Sequence, residues 1–382
     1  MRFFTAGESH GPCLTAIIEG LPAGLKIDLE YVNQDLARRQ QGYGRGGRMK
    51  IERDTAEVLS GIRFGETLGS PVTLAIKNKD WENWGTKMAA FGEPAGEKVL
   101  EARPGHADLT GTLKYQRNDI RDILERASAR ETAARVAVGA VAKQLLEKIG
   151  IQIVSHVTAI GGVAINEVID YRTIQEKKNN SDLSCINPEV EVKMKEAIQQ
   201  AKQQGDTLGG IFEVAALHVF PGLGSHVQWD RRLDTRLAAL MMSIPAIKGV
   251  EFGAGFAYAT LPGSQAHDEI FYDKQRGYYR RTNRAGGIEG GMSNGETVIA
   301  RAVMKPIPTL MKPLASVDIV SKQPVKASTE RSDVCAVTAA AVVGEAMMAI
   351  GLTQILLEQF SRDSIVDLTD AVQQYRRRIA AK

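Results

Sequence analysis

The chain has 382 residues, 43% hydrophobic and 24% charged, values ordinary for a globular enzyme and enough chain for one large core or two smaller ones. Its 48 basic and 45 acidic residues leave a formal charge of +3, too small an excess to favour nucleic acid as a partner. The best apolar run, Ala336–Gly351, is short and carries Glu345, no secretory leader is visible, and Cys13, Cys185 and Cys335 lie far apart. These features predict a cytoplasmic protein with no membrane span and no disulfide framework.

Alternation predicts a strand over MRFFTA (1–6) and a second over LTAIIEG (14–20), joined by a turn that holds GESHG (7–11). Asp28 or Asn33 can cap a short helix running through QDLARRQQ (34–41) into the glycine cluster GYGRGG (42–47). VTLAIKN (72–78) reads as a strand, followed by a polar loop with Trp81 and Trp84 and by RPGHAD (103–108), with a Pro-Gly turn at its centre. An apolar stripe of Ile120, Ile123, Leu124, Ala127, Ala134 and Val138 predicts one helix from about Asp119 to Lys148.

IQIVSHVTAIGGV (151–163) is strand-like. Residues 166–206 are polar and read as a surface excursion with one helix over about 188–204. GIFEVAALHVF (210–220) and GVEFGAGFAYA (249–259) read as strands around a helix over 230–243 capped by Asp230. The prolines of KPIPTLMKP (305–313) forbid regular structure there. A long helix rich in small residues follows over about 333–359, its alanines suited to close packing, as at a subunit interface. Strands and helices mix without repeat or linker, which predicts an α+β fold in a single large domain over 1–382.

Two motifs invite simpler answers. GESHG fits the G-x-S-x-G of a serine hydrolase, but a nucleophile elbow belongs after a central strand, and only six residues precede Gly7. GYGRGG fits G-x-G-x-x-G, but a helix-like stretch precedes it where a dinucleotide-binding fold needs a strand.

Arginine is the stronger signal. Arg38, Arg39, Arg45, Arg48 and Arg53 fall within sixteen residues, threaded through glycine. Arg126 and Arg130 stand four apart on the predicted helix, where like charges repel unless an anion lies between them. Their bland alternative is a solvated face paired with Glu125 and Glu131. Arginine suits bidentate grip on carboxylate or phosphate, so the pattern points to a small, multiply anionic ligand. His10 and His106 sit in glycine-flanked turns and are candidate proton carriers, whereas His156 and His218 lie in apolar runs and read as structural. No histidine spacing fits a metal site.

Taken together, GESHG (7–11), RRQQGYGRGGR (38–48), RPGHAD (103–108), RASARETAARVAVGA (126–140), SIPAIKGVEFG (243–253), AGGIEGGMSNGE (285–296), KPIPT (305–309) and RSDVCAV (331–337) resemble the chorismate synthase family in order and over nearly the whole chain. The resemblance implies a lyase that converts 5-enolpyruvylshikimate 3-phosphate to chorismate and phosphate by an anti 1,4-elimination. The reaction requires reduced FMN without net redox change. The substrate's two carboxylates and phosphate agree with the arginine pattern.

By the same resemblance, His10 protonates the departing phosphate, His106 protonates reduced flavin near N1, and Asp333 works with flavin N5 in removing the C6 proton. Ser9, Arg39, Arg48 and Arg130 hold substrate, and Arg39 and Arg45 take NADPH. Flavin lies against Arg126, Ala127, Ser128, Pro245, Ala246, Gly290, Lys305, Pro306, Ile307, Pro308, Thr309 and Arg331. Pro245 departs from the expected glutamine or asparagine, and the KPIPT loop varies in the family. The implied fold is a βαβ sandwich with antiparallel sheets inside and helices outside, assembled as a homotetramer and served by an external flavin reductase. The rivals are a hydride-transferring oxidoreductase, a polyanion- or RNA-binding module and a serine hydrolase. The second needs more aromatics among the arginines than Tyr43.

Overall fold

A computed structural model describes residues 1–46, 53–167, 170–171, 173–174, 181–330 and 332–382. Strands β1 (Arg2–Ala6), β2 (Cys13–Glu19), β3 (Ala56–Ser60) and β4 (Val72–Lys77) form an antiparallel sheet in the order β1-β2-β4-β3. Alternation does the sorting: Leu14, Ala16 and Ile18 of β2 face the core while their neighbours do not. The pairing Ala6↔Thr15 and Cys13↔Lys77 brings the GESHG turn and Asn78 to one end of this sheet.

Helix α1 (Leu29–Gln40) is capped by Asp28, whose carboxylate accepts the Glu30 N–H. Asn33 instead accepts the Ala56 N–H. The expected helix over 119–148 is broken. After α2 (Asp108–Tyr115) come α3 (Arg121–Ala127), an extended Ser128, a single 3-10 turn and α4 (Thr132–Lys148). Ser128 Oγ accepts the Arg130 N–H at 3.3 Å, starting a new helical segment rather than continuing the old one.

A second antiparallel sheet holds β5 (Gln152–Ile160), β6 (Val163–Ala164), β7 (Gly210–Leu217), β8 (Ile247–Phe252) and β9 (Val298–Met304), in the order β8-β9-β7-β5-β6. Beyond Phe252 the predicted strand turns into a 3-10 segment, Gly255–Thr260. Within 166–206, α5 (Pro188–Gln203), capped by Asn187, buries Met194, Ile198 and Ala201, and Leu183 and Cys185 join the core. Helix α6 (Leu233–Met242) is not capped by Asp230, which lies in the preceding turn Trp229–Arg231. Residues 305–314 are irregular.

The long helix α7 (Val337–Gln359) decides the layering. It is apolar on every side and buried almost all round, so it belongs at the centre. It packs on α4 on one side and on β5 and β7 on the other, while α4 packs on β2 and β4. The helices therefore lie between the two sheets, which is the βαβ sandwich the resemblance implied, with helices rather than sheets in the middle layer. Its small residues serve this interior. A Cβ on Gly139 of α4 would sit 2.3 Å from Ala346 Cβ, so the two helices meet backbone to backbone. By length and composition α7 could also cross a membrane, contrary to the sequence expectation, yet here it fills the core.

Glu345 of α7 is buried with company. Its carboxylate accepts from Lys143 Nζ at 2.5 Å, Arg38 at 2.8 Å and Ser155 Oγ at 2.7 Å, and Asp35 completes the cluster. Arg38, half-buried, is thus engaged by this carboxylate cluster.

Candidate active site

The GESHG turn joins two neighbouring antiparallel strands and leads to no helix, so it is not a nucleophile elbow. Gly7 takes φ +108°, and a Cβ there would lie 2.4 Å from the Cys13 carbonyl oxygen. The turn is tied to α3 and α4. Ser9 N–H donates to the Glu125 carbonyl at 3.1 Å, and Ser128 Oγ donates to Ser9 Oγ at 3.3 Å. Arg126 donates to the Thr5 and Gly7 carbonyls. The Ser128 break thus sends Arg126 and Arg130 in different directions.

His10 is held on two sides. Its Nδ1 lies 2.9 and 3.0 Å from the Glu125 carboxylate oxygens, and its main-chain N–H donates to Glu125 Oε2 at 2.8 Å. Its ring stacks on Trp84 with centroids 4.0 Å apart. Burial opposes ionisation of Glu125, but the bonds from His10 and Arg121 outweigh it and hold the carboxyl below its ordinary range.

His106 is built alike. Its Nδ1 lies 2.5 Å from Asp108 Oδ1, and Arg103 clasps the same carboxylate. Burial again opposes ionisation, and His106 and Arg103 hold the Asp108 carboxyl well below the usual range. An ionised Asp108 accepts only, so His106 Nδ1 carries the hydrogen and cannot also accept from Arg103. Arg103 continues to Thr309 Oγ1 at 3.1 Å, and Lys305 Nζ donates to the Gly105 carbonyl at 2.5 Å. Glu330 lies 3.7 Å from Arg103 and 4.0 Å from Arg121, between the two histidine clusters.

Beside the GESHG turn lies a buried cationic floor. Arg39 and Arg130 both bond Asp54, at 2.7 Å and at 2.6 and 2.7 Å, and Arg130 Nε donates to Asn78 Oδ1 at 2.9 Å. Asn78 in turn donates to the Glu8 and Gly11 carbonyls of the GESHG turn. Burial works against the Asp54 charge, and Arg39 and Arg130 more than offset it. Arg45 pairs with Asp333 at 3.0 Å, and Gly46 N–H donates to Asp333 Oδ1 at 2.6 Å. Arg45 is near enough to Arg39 for mutual repulsion. A groove of about 760 Å³, bordered by Glu8, Ala107, Arg121, Glu125 and Arg126, reaches both histidine turns.

The sequence-derived residues therefore largely converge. Ser9, His10, Arg126, Ala127, Ser128 and Arg130 meet at the first turn, and His106, Lys305, Pro308 and Thr309 at the second. Ala246, in the left-handed region at φ 68°, accepts the Lys305 N–H at 3.0 Å, so it and Pro245 adjoin this loop. Pro306 is exposed, and Ile307 packs on the core and accepts from Thr207 Oγ1. Gly290 is exposed at the tip of a hairpin whose Gly291 carbonyl accepts the Leu233 N–H at the start of α6. Arg48 and Arg331 lie outside the described residues.

Sequence reasoning missed the partners: Asp54, Asn78, Trp84, Arg103, Asp108, Arg121 and Glu330. Glu125 was weighed only as a neighbour for Arg126. Arg103 and Asp108 were within reach, since they close RPGHAD on either side of His106.

Comparison with known proteins identifies the family. A family model described as chorismate synthase matches residues 1–357. Chorismate synthases from Sulfurihydrogenibium sp. and Enterococcus faecalis are 58% and 56% identical, each alignment covering 98% of both chains. A crystal structure of chorismate synthase superposes with a TM-score of 0.82 at 44% identity, covering 100% of this chain and 98% of the other. The chain belongs to the chorismate synthase family, lyases of the shikimate pathway that eliminate phosphate from 5-enolpyruvylshikimate 3-phosphate.

Proposed function

We propose that this chain performs the family's elimination with His10, His106 and Asp333 handling protons and with Ser9, Arg39, Arg48 and Arg130 gripping the substrate. One observation carries the proposal. The buried guanidiniums of Arg39 and Arg130 converge on the carboxylate of Asp54, beside two carboxylate-backed histidines. Two cations on one anion leave positive charge in a dry site, and burying charge is costly without a counter-ion. An anionic substrate supplies it.

The family implies a reduced flavin, taken here as FMN. The donors present suit its phosphate and ring: Ser128, Thr309 and Lys305 border the histidine turns, and Arg39 Nε is buried without a hydrogen-bond partner among the described residues. Arg126, Ala127, Ser128, Pro245, Ala246, Gly290, Lys305 to Thr309 and Arg331 are the residues that would hold it. Pro245 would contact it through carbonyl or ring atoms. When bound, reduced FMN supplies transient electron density that helps expel phosphate from C3.

The protein's part is electrostatic and protonic. Arg39 and Arg130 neutralise substrate anions and fix the ring's position. His10 gives its ring proton to the departing phosphate oxygen, which leaves a neutral imidazole. Asp333, held by Arg45 and the Gly46 N–H, takes the C6 proton. His106, backed by Asp108, holds a proton beside the bound flavin. NADPH, if used as reductant, meets Arg39 and Arg45; an external flavin reductase, a cytoplasmic location and a homotetramer complete the proposal. His10→Ala and His106→Ala should each fold normally by circular dichroism and lose about 10²–10⁴-fold in turnover. Wild-type rates in either would overturn the proton assignments.

A further inference from the structure

Four side chains near the GESHG turn close a ring of contacts. His10 Nδ1 meets Glu125 at 2.9 Å, and Glu125 Oε1 accepts from Arg121 Nη1 at 2.9 Å. The Arg121 guanidinium lies over Trp84 at 4.8 Å, and Trp84 stacks back on His10 at 4.0 Å. The imidazole is thereby fixed at its edge by a carboxylate and on its face by an indole. Glu125 is 2% exposed and His10 side chain 13%, so the carboxylate is dry and the ring only just reachable.

We propose that Glu125 is the positioning residue of His10, holding the imidazole as its Nδ1–H form and aiming Nε2 at the substrate. An ionised carboxylate only accepts, and Glu125 already accepts from the His10 main chain and Arg121, so the atom facing it must be a donor. Nδ1 therefore carries hydrogen in both protonation states, and proton exchange with the substrate runs through Nε2. As the phosphate leaves, the Nε2–H bond breaks and an O–H bond forms on the phosphate. Glu125 keeps its charge and takes no proton. Carboxylates that orient a ring in this way are worth orders of magnitude in turnover without touching substrate.

Among the described residues, these charged side chains stand around the pair. Arg121 lies on the same helix as Glu125, Glu330 stands 4.0 Å beyond Arg121, and Lys87 sits over the far side of Trp84 at 5.4 Å. Glu8, in the same turn as His10, lines the adjoining groove. Of these, Arg121 bonds Glu125 directly, which ties the carboxylate to α3 rather than leaving it to swing.

The proposal rests on His10 being the proton donor, and its test separates the two. Protein labelled with ¹⁵N-histidine is examined first without substrate, with the His10 signals assigned by their loss in His10→Asn. Recorded across pH, the expected result is an imidazolium that loses its Nε2 proton and keeps its hydrogen at Nδ1, whereas the neutral ring becomes a tautomer mixture in Glu125→Ala. A neutral wild-type ring that carries its hydrogen at Nε2 overturns the proposal, and Glu125→Ala need not fold for that outcome. Turnover is then measured with reduced FMN under anaerobic conditions. Glu125→Ala should lose on the order of a hundredfold in kcat with KM changed less than about threefold, and Glu125→Asp, which keeps an acceptor-only carboxylate, should recover part of that loss. A Glu125→Ala enzyme that changes only KM, or whose loss Glu125→Asp does not reduce, also overturns it. Should His10→Asn keep wild-type turnover, the donor assignment fails instead, whatever the ¹⁵N spectrum shows.

Discussion

Asp54→Asn probes the cationic floor directly. The Asp54 carboxylate receives three short bonds, one from Arg39 at 2.7 Å and two from Arg130 at 2.6 and 2.7 Å, and all three side chains are at most 4% exposed. The amide keeps one acceptor oxygen but turns an NH₂ toward one guanidinium and removes the charge both rely on. Breaking a buried pair by removing one partner costs about 3–5 kcal/mol. At roughly 2–4 °C per kcal/mol for a large domain, the melt should fall by about 6–20 °C at fixed protein concentration. Inorganic phosphate, a surrogate for the substrate's anion, should then raise the melt of Asp54→Asn more than that of wild type, since it replaces the lost counter-charge. Urea and thermal unfolding, each with and without phosphate, give both numbers. A loss below about 1 kcal/mol, or equal stabilisation of the two proteins by phosphate, would refute the claim that these arginines are poised for an anion.

Two further predictions concern stability. Asp54, Asp108 and Glu125 all have folded pKa values held below their unfolded ones. Their contribution is therefore present above the unfolded range near about 4 and lost as pH falls through the folded values. The urea midpoint should hold from neutrality to about pH 5 and drop below about pH 4; a flat midpoint down to pH 2 would contradict this. Gly139→Ala should destabilise by about 1–3 kcal/mol or more, because its Cβ would fall 2.3 Å from Ala346 Cβ and 2.4 Å from its Cα. Gly263→Ala, with nothing within 4 Å of the added atom, is the control and should stay within about 0.5 kcal/mol in a chemical melt.

How much of this was legible depends on distance along the chain. The strands 2–6, 13–19 and 72–77 follow from alternation, and Asp28 was a readable cap. The break at Ser128 was signalled too: Ser128 and Glu131 have capping-box spacing, but the apolar stripe on either side ran on as though unbroken. The layer order was hidden by a rule of thumb. A helix with apolar residues on all faces belongs inside, and 337–359 is such a helix, yet its alanines read as an interface and Glu345 as an interruption. Glu345 is tolerated there because Arg38 and Lys143 reach it from other helices, a meeting across 307 and 202 residues that no local pattern encodes.

The site divides the same way. His10 and His106 were visible because glycine turns are poor places for a merely structural ring. Their carboxylates differ: Asp108 is two residues from His106, whereas Glu125 is 115 residues from His10 and meets it only because α3 packs beside the first hairpin. The arginines pointed to an anionic ligand, but not to which of them the fold would bring together. Arg38 turned inward, and Arg39 and Arg130 were brought together by Asp54.

The most direct measurement is anaerobic. Purified protein is mixed with 5-enolpyruvylshikimate 3-phosphate and chemically reduced FMN, and phosphate, chorismate and flavin oxidation are followed together. Equal release of phosphate and chorismate, with the flavin still reduced at the end, is the predicted result. No release from folded protein, or flavin oxidised in step with product, would contradict it.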